Sequence, residues 1–126
     1  MNIVDSSGWL EYFADGAKAS SFEKPLQDLE KLIVPTICLF EVFKVALREK
    51  GESDALQAIA LMKQGKVVDL TAEIAFEAAK ISYDNKIPMA DSIVLATAWN
   101  WEATIWTQDS DFEKFRGVKY FPKANS

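Results

Sequence analysis

Five short apolar runs punctuate this chain, and longer segments with apolar residues at helical spacing separate them. The runs are NIV at 2–4, LIVP at 32–35, KVVDL at 66–70, TIWTQ at 104–108 and VKYF at 118–121. Short apolar strands alternating with longer helices are the signature of a parallel sheet, because parallel neighbours need a crossover connection and helices supply it. The expected architecture is α/β: three α/β/α layers around a short central parallel sheet of about four to five strands. With 126 residues, 49% of them hydrophobic, the chain has enough apolar surface for one core, so a single domain over 1–126 is expected.

The helical segments have readable ends. Ser6 and Ser7 stand as N-caps before Trp9, Leu10 and Phe13, and a second helix over about Ser20 to Glu30 follows from Phe22, Leu26 and Leu29 on one stripe. Thr36 caps a long helix through CLFEVFKVALREK that Gly51 stops. Ser53 and Asp54 cap a further one bearing Leu56, Ile59, Ala60 and Met62, closed by Gly65. Thr71 caps a helix whose apolar side is Ile74, Phe76, Ala78 and Ile81, and the loop NKIP leads to a helix from about Ala90 to Trp101. A short turn at DSDFEKF and a break at Gly117 precede the last strand, and only the final few residues read as loose.

What is missing narrows the chemistry. The chain has no histidine, which removes Ser-His-Asp and Cys-His nucleophile systems, the H-E-x-x-H zinc site and histidine-based RNA cleavage. A single cysteine, Cys38, rules out an internal disulfide and favours a reducing compartment, hence the cytoplasm. The start NIVDSSGWLEYF lacks the pattern of a signal peptide, and no apolar run approaches the ~20 residues of a membrane helix, so no membrane partner is expected. Soft-ligand metal sites are excluded with the histidines. Oxygen ligands remain, and they suit Mg²⁺ or Mn²⁺.

In an open α/β sheet, ligands bind beyond the carboxyl ends of the strands. Asp5 follows the first strand and Asp109 the fourth; Glu41 lies one turn into the helix after the second, its side chain tilted back toward the helix start; Asp91 sits in the first turn of the helix after KIPMA. Each has an ordinary role open to it. Asp5 can cap a helix, Glu41 can pair with Lys44, and Asp91 can favour a helix dipole. Glu41 is nevertheless the one charge in an apolar helical half. Four carboxylates at one rim repel one another unless cations sit between them, so together they imply metal. Without those four, the net charge of −5 becomes −1, so the acidity is largely the proposed site and is no bar to a nucleic-acid partner. Asp111 ranks lower, as an outer ligand or the start of a short helix; Asp69 and Asp84 rank lower still. Ser6 and Thr107 are placed to hydrogen-bond the neighbouring carboxylates, or to serve as ordinary turn residues.

The segments NIVDSSGWLEYF, TICLFEVFKV, IPMADSIVLATA and TQDSDFEKFRGVKYF, in this order along the whole chain, resemble the PIN-domain nucleases, specifically the compact VapC-like toxins of toxin–antitoxin pairs. The resemblance implies that Asp5, Glu41, Asp91 and Asp109 are catalytic, metal-binding acids, with Asp111 assisting and Ser6 and Thr107 supporting. It also implies a Mg²⁺- or Mn²⁺-dependent endoribonuclease in which carboxylate-held metal activates water, a homodimer, and a small cognate antitoxin that silences it.

Lys44 and Arg48, at i+3 and i+7 from Glu41, are candidates for contact with RNA or an acid of the antitoxin, or form a solvated stripe. Arg116 and Lys114, near Asp109, are weaker candidates of the same kind. Trp99, Trp101 and Trp106 read as core or dimer packing rather than base stacking. Two rival classes stay open: a receiver-like phosphoacceptor domain, which would carry an acidic pair after the first strand where VDSS has one acid, and a non-catalytic RNA- or protein-binding module.

Overall fold

The structure is a computed structural model and describes residues 1–123. The expectation for the last few residues falls in part on 124–126, which lie outside the described residues.

Five strands form one all-parallel sheet: β1 (Asn2–Val4), β2 (Leu32–Pro35), β3 (Lys66–Val68), β4 (Thr104–Thr107) and β5 (Val118–Tyr120). Their order in space is β3-β2-β1-β4-β5. The chain moves outward from β1 to β3, then returns to the other side of β1 for β4 and β5. With right-handed crossovers, this reversal puts helices on both faces of the sheet and opens a crevice at the carboxyl ends of β1 and β4. The expected three-layer architecture is what forms. A receiver-type order of 2-1-3-4-5 is not.

Burial explains why the strand runs lack alternation. Ile3, Val4, Leu32, Ile33, Val34 and Ile105 are all fully buried, as strands covered on both faces must be. The register pairs Val4 with Trp106, so the next residues along, Asp5 and Thr107, emerge side by side at the rim.

Six α-helices connect the strands: α1 (Ser6–Phe13), α2 (Glu23–Gln27), α3 (Thr36–Lys50), α4 (Glu52–Met62), α5 (Ala72–Asn85) and α6 (Met89–Asn100). Helix α3 packs along α4, and α5 along α6. Helix α6 is buried continuously from Ser92 to Ala98. Its two internal hydroxyls are satisfied by the helix itself: Ser92 Oγ donates to the Met89 carbonyl at 2.7 Å and Thr97 Oγ1 to the Ile93 carbonyl at 2.7 Å. Gly8 marks a close approach at the β1–α1 corner. A Cβ there would lie 2.6 Å from Val4 Cγ1 and 2.9 Å from the Phe22 ring.

Several local expectations are corrected. Asp5 itself is the N-cap of α1, its carboxylate accepting from Gly8 N–H, while Ser6 and Ser7 lie inside the helix. The stretch from Ser20 to Glu30 is not one helix: a 3-10 turn at Ala19–Phe22 runs into α2, and Asp28, with ψ of 71°, breaks the chain before another 3-10 turn at Leu29–Lys31. Phe22 and Leu26 are buried as the stripe requires, but Leu29, beyond the break, faces solvent. Pro35, not Thr36, occupies the cap position of α3, and Gly51, with φ of 91°, both ends α3 and precedes α4, displacing Ser53 and Asp54 into the helix. Phe76 and Leu56 point outward, because Ile74, Ala78 and Ile81 on α5, and Ala55, Ala58 and Met62 on α4, already cover the contact faces. Thr71 caps α5 as expected, accepting from Ile74 N–H at 3.2 Å.

Candidate metal centre

The rim at the ends of β1 and β4 gathers the acids that the sequence singled out, in two tiers. Asp91, Asp109 and Asp111 each place a carboxylate oxygen within 4.8 Å of the others. Asp91 arrives on the first turn of α6, and Asp109 and Asp111 flank the start of a 3-10 turn, Ser110–Phe112, which Asp109 caps by accepting from Asp111 N–H at 2.9 Å. Asp111, ranked lower from the sequence, thus belongs to the tight cluster, because the turn folds it back toward Asp109.

Asp5 forms the second tier. Its carboxylate is almost fully buried and held by three donors: Ser7 Oγ at 2.7 Å, Gly8 N–H at 3.0 Å and Thr107 Oγ1 at 2.8 Å. Thr107 Oγ1 in turn accepts from Asp109 N–H at 2.9 Å, so one hydroxyl ties Asp5 to the segment carrying Asp109 and Asp111. Ser7, expected only as a cap, is a candidate site residue through its hydrogen bond to Asp5. It also receives Gln108 N–H at 3.3 Å and so bridges the ends of β1 and β4. Its position two residues after a rim acid was the available signal.

Glu41 reaches the same rim on α3. Ser6 Oγ donates to its Oε1 at 2.7 Å, and the ion pair with Lys44 does not form: among the described residues the one ion pair within 4 Å is Arg48–Glu49. Glu41 and Asp5 lie outside the three-carboxylate cluster. Asp69 and Asp84 are exposed and take no part in it.

The electrostatics are those of a site with surplus negative charge. Burial raises the Asp5 carboxyl from 3.8 to about 6 against the opposing pull of its hydrogen bonds, with Asp109 adding a smaller upward push. Asp91 is raised to about 8, first by desolvation, then by the charge of Asp109, the hydrogen bond and charge of Asp111, and the charge of Asp5. Buried Cys38 is driven well above the usual thiol range by desolvation and by Asp5, so it carries no thiolate and offers no nucleophile. The donor set consists of carboxylate oxygens in a cluster that no lysine or arginine neutralises. It fits a hard divalent cation with oxygen preference, such as Mg²⁺ or Mn²⁺.

Of the basic candidates, Lys114 lines a cavity with Asp111, and the others make contacts elsewhere. Lys44 lies 5.9 Å from the Phe40 ring centroid, and Arg48, a further turn along α3, pairs with Glu49 at 3.3 Å on the surface. Arg116 is carried to the opposite end of the sheet, where its guanidinium lies over Trp99 at 5.0 Å and shares a cavity with Thr104. The reason is topological: β5 runs parallel to β4, so the chain must descend before Gly117 to begin it. Trp106 is core, stacked on Phe121 with Nε1 donating to Asn2 Oδ1 at 2.9 Å, and Trp99 and Trp101 pack partly buried against the core. A separate cavity of about 310 Å³ between α1, α3 and α4 contains none of the rim acids.

Fold and site together define an α/β domain with a carboxylate centre at its topological switch point. The PIN domain family profile matches residues 3–118, and the chain belongs to that family. Its fold is shared by the toxin–antitoxin complex from Klebsiella pneumoniae, at 18% identity and a TM-score of 0.81 over 98% of this chain and 100% of that one. VapC20 from Mycobacterium tuberculosis, a sarcin–ricin loop cleaving toxin, is similar at 18% identity and 0.81, covering 97% and 100%. VapBC2 from Rickettsia felis, bound to a DNA fragment from its promoter, is similar at 12% identity and 0.74, covering 96% and 97%. No curated protein matches the chain.

Proposed function

We propose that this chain is a Mg²⁺- or Mn²⁺-dependent endoribonuclease of the VapC toxin type, a cytoplasmic homodimer whose residues 1–126 act as one nuclease domain silenced by a cognate antitoxin. The observation that carries the reading is the convergence of Asp91, Asp109 and Asp111 within 4.8 Å, coupled through Thr107 to buried Asp5. The sarcin–ricin loop cleaving activity of VapC20 supports RNA as the substrate class, and the toxin–antitoxin assemblies among the structural relatives support an antitoxin partner.

Asp91, Asp109 and Asp111 would hold a divalent cation through their carboxylate oxygens, with Asp5 and Glu41 completing the acidic rim. A bound cation supplies Lewis-acid activation of water and neutralises charge developing on the phosphodiester. Asp5 is held in one orientation by Ser7, Gly8 and Thr107, so it reaches the site preorganised. Ser6 does the same for Glu41. The chain has no imidazole, and a cation held by these carboxylates would favour an external water as the nucleophile, with the 3′-oxygen as the leaving group.

Induced expression in a bacterial host tests the reading without a guess at the target RNA. The wild-type chain is expected to arrest growth, and the Asp5→Asn chain, at matched protein level, to permit it. Equal growth arrest by both would remove the acid from the mechanism.

A further inference from the structure

A cavity of about 420 Å³ opens beside the three-carboxylate cluster, lined by Asn85, Lys86, Ser110, Asp111, Glu113 and Lys114. Asp111 belongs to both, so cavity and cluster are contiguous. The two lysines come from the same two chain segments that deliver the acids. Lys86 ends α5 five residues before Asp91, and Lys114 follows the 3-10 turn five residues after Asp109.

Lys86 is anchored at the backbone. Lys86 is held in the left-handed region, at φ 55° and ψ 44°, with its N–H on the Ser82 carbonyl at 2.7 Å. Glycine or asparagine is the usual residue at such a helix end, so a lysine keeps its charge there at a conformational cost. Lys114 is carried by the turn that Asp109 caps, and its Nζ lies 5.4 Å from the Phe115 ring centroid.

We propose, resting on the nuclease reading above, that this cavity is the subsite for the RNA backbone phosphate adjoining the one cleaved, with Lys86 and Lys114 as its positioning cations. An acidic centre repels a polyanion, and a substrate strand leaving it needs cationic contacts within reach. Lysine suits this role as a point charge on a flexible stem. Asn85 and Ser110 add polar groups beside the lysines. The acids Asp111 and Glu113 also line the cavity, and Asp111 is shared with the carboxylate cluster.

The test is fluorescence anisotropy with a labelled mixed-sequence 20-nucleotide RNA in Mg²⁺ buffer across a salt series, in the Asp5→Asn background so that binding is read without turnover. Lys86→Gln/Lys114→Gln is compared with Lys63→Gln/Lys80→Gln, which removes the same charge from exposed positions outside the cavity. The cavity variant is expected to bind roughly tenfold more weakly, with the slope of log K against log salt reduced by about 0.7 per lysine, while the control holds near the parent. Equal behaviour of the two double variants would overturn the subsite and leave the nuclease reading intact. Absence of RNA binding by the parent, with no RNA cleavage by the wild type, would overturn both.

Discussion

Asp91→Asn is expected to lower RNA cleavage by about a thousandfold, equivalent to ~4 kcal/mol of transition-state stabilisation, without loss of folded protein. Asparagine fills the same volume at the start of α6 and removes one of three carboxylates that crowd within 4.8 Å. It therefore relieves repulsion while it deletes a cation ligand, so activity and stability move in opposite directions. Asp109→Asn should lose activity comparably, although Asp109 also caps the following turn and its variant gives up part of that anchor. Asp84→Asn, on the exposed face of α5, serves as the control and should keep full activity. Cleavage rates with circular dichroism on the same preparations check this. An Asp91→Asn chain that cleaves at the wild-type rate would remove the cluster from the chemistry.

In chelator, the wild-type chain is expected to lose stability relative to Asp5→Asn as the pH rises from about 4 to 6. Folding raises Asp5 from 3.8 to about 6, so between these values the folded state holds a proton that the unfolded state has released. Stability then falls with rising pH and stays low above pH 6. The full difference is about 3 kcal/mol, or about 10 °C in melting temperature for a domain of this size. Asp91, raised to about 8, extends the decline in the same direction to higher pH. A divalent cation at a hundredfold excess over its Kd should restore about 3 kcal/mol at pH 8 and little at pH 4, where Asp5 and Asp91 are protonated. Thermal melts of both chains, with and without Mn²⁺, measure this. Wild type gaining stability over Asp5→Asn with rising pH would contradict the origin assigned to the Asp5 shift.

The sheet and the rim were legible because each left a signal that tertiary context does not override. LIVP is an unbroken apolar run and TIWT is buried from Ile105 to Thr107, as doubly covered strands are, and Asp5 follows β1 directly and Asp109 follows β4 after Gln108, so the topology delivered both to one crevice. Glu41 was legible as a lone charge in an apolar stretch. The cap positions were less so. Asp5 outcompeted Ser6 and Ser7 because its carboxylate reaches Gly8 N–H, and at Gly51 the left-handed backbone fixed the helix boundary instead of the polar residues after it. Outward-facing Phe76 was misread because hydrophobic spacing alone cannot separate a contact face from its neighbour when both carry apolar residues. The contribution of Asp111 depends on a 3-10 turn, and that of Ser7 on the pairing of β1 with β4. The first is not written in local spacing, and the second left only the place of Ser7 two residues after Asp5 as a signal.

This carboxylate centre is proposed to direct water at an RNA phosphodiester. The most direct measurement incubates the purified chain with total bacterial RNA, with and without Mn²⁺, and sequences the ends produced. The account predicts cation-dependent cuts leaving 5′-phosphate and 3′-hydroxyl termini, absent from the Asp91→Asn chain. Cuts that persist in chelator, or that leave 2′,3′-cyclic phosphate, would contradict it.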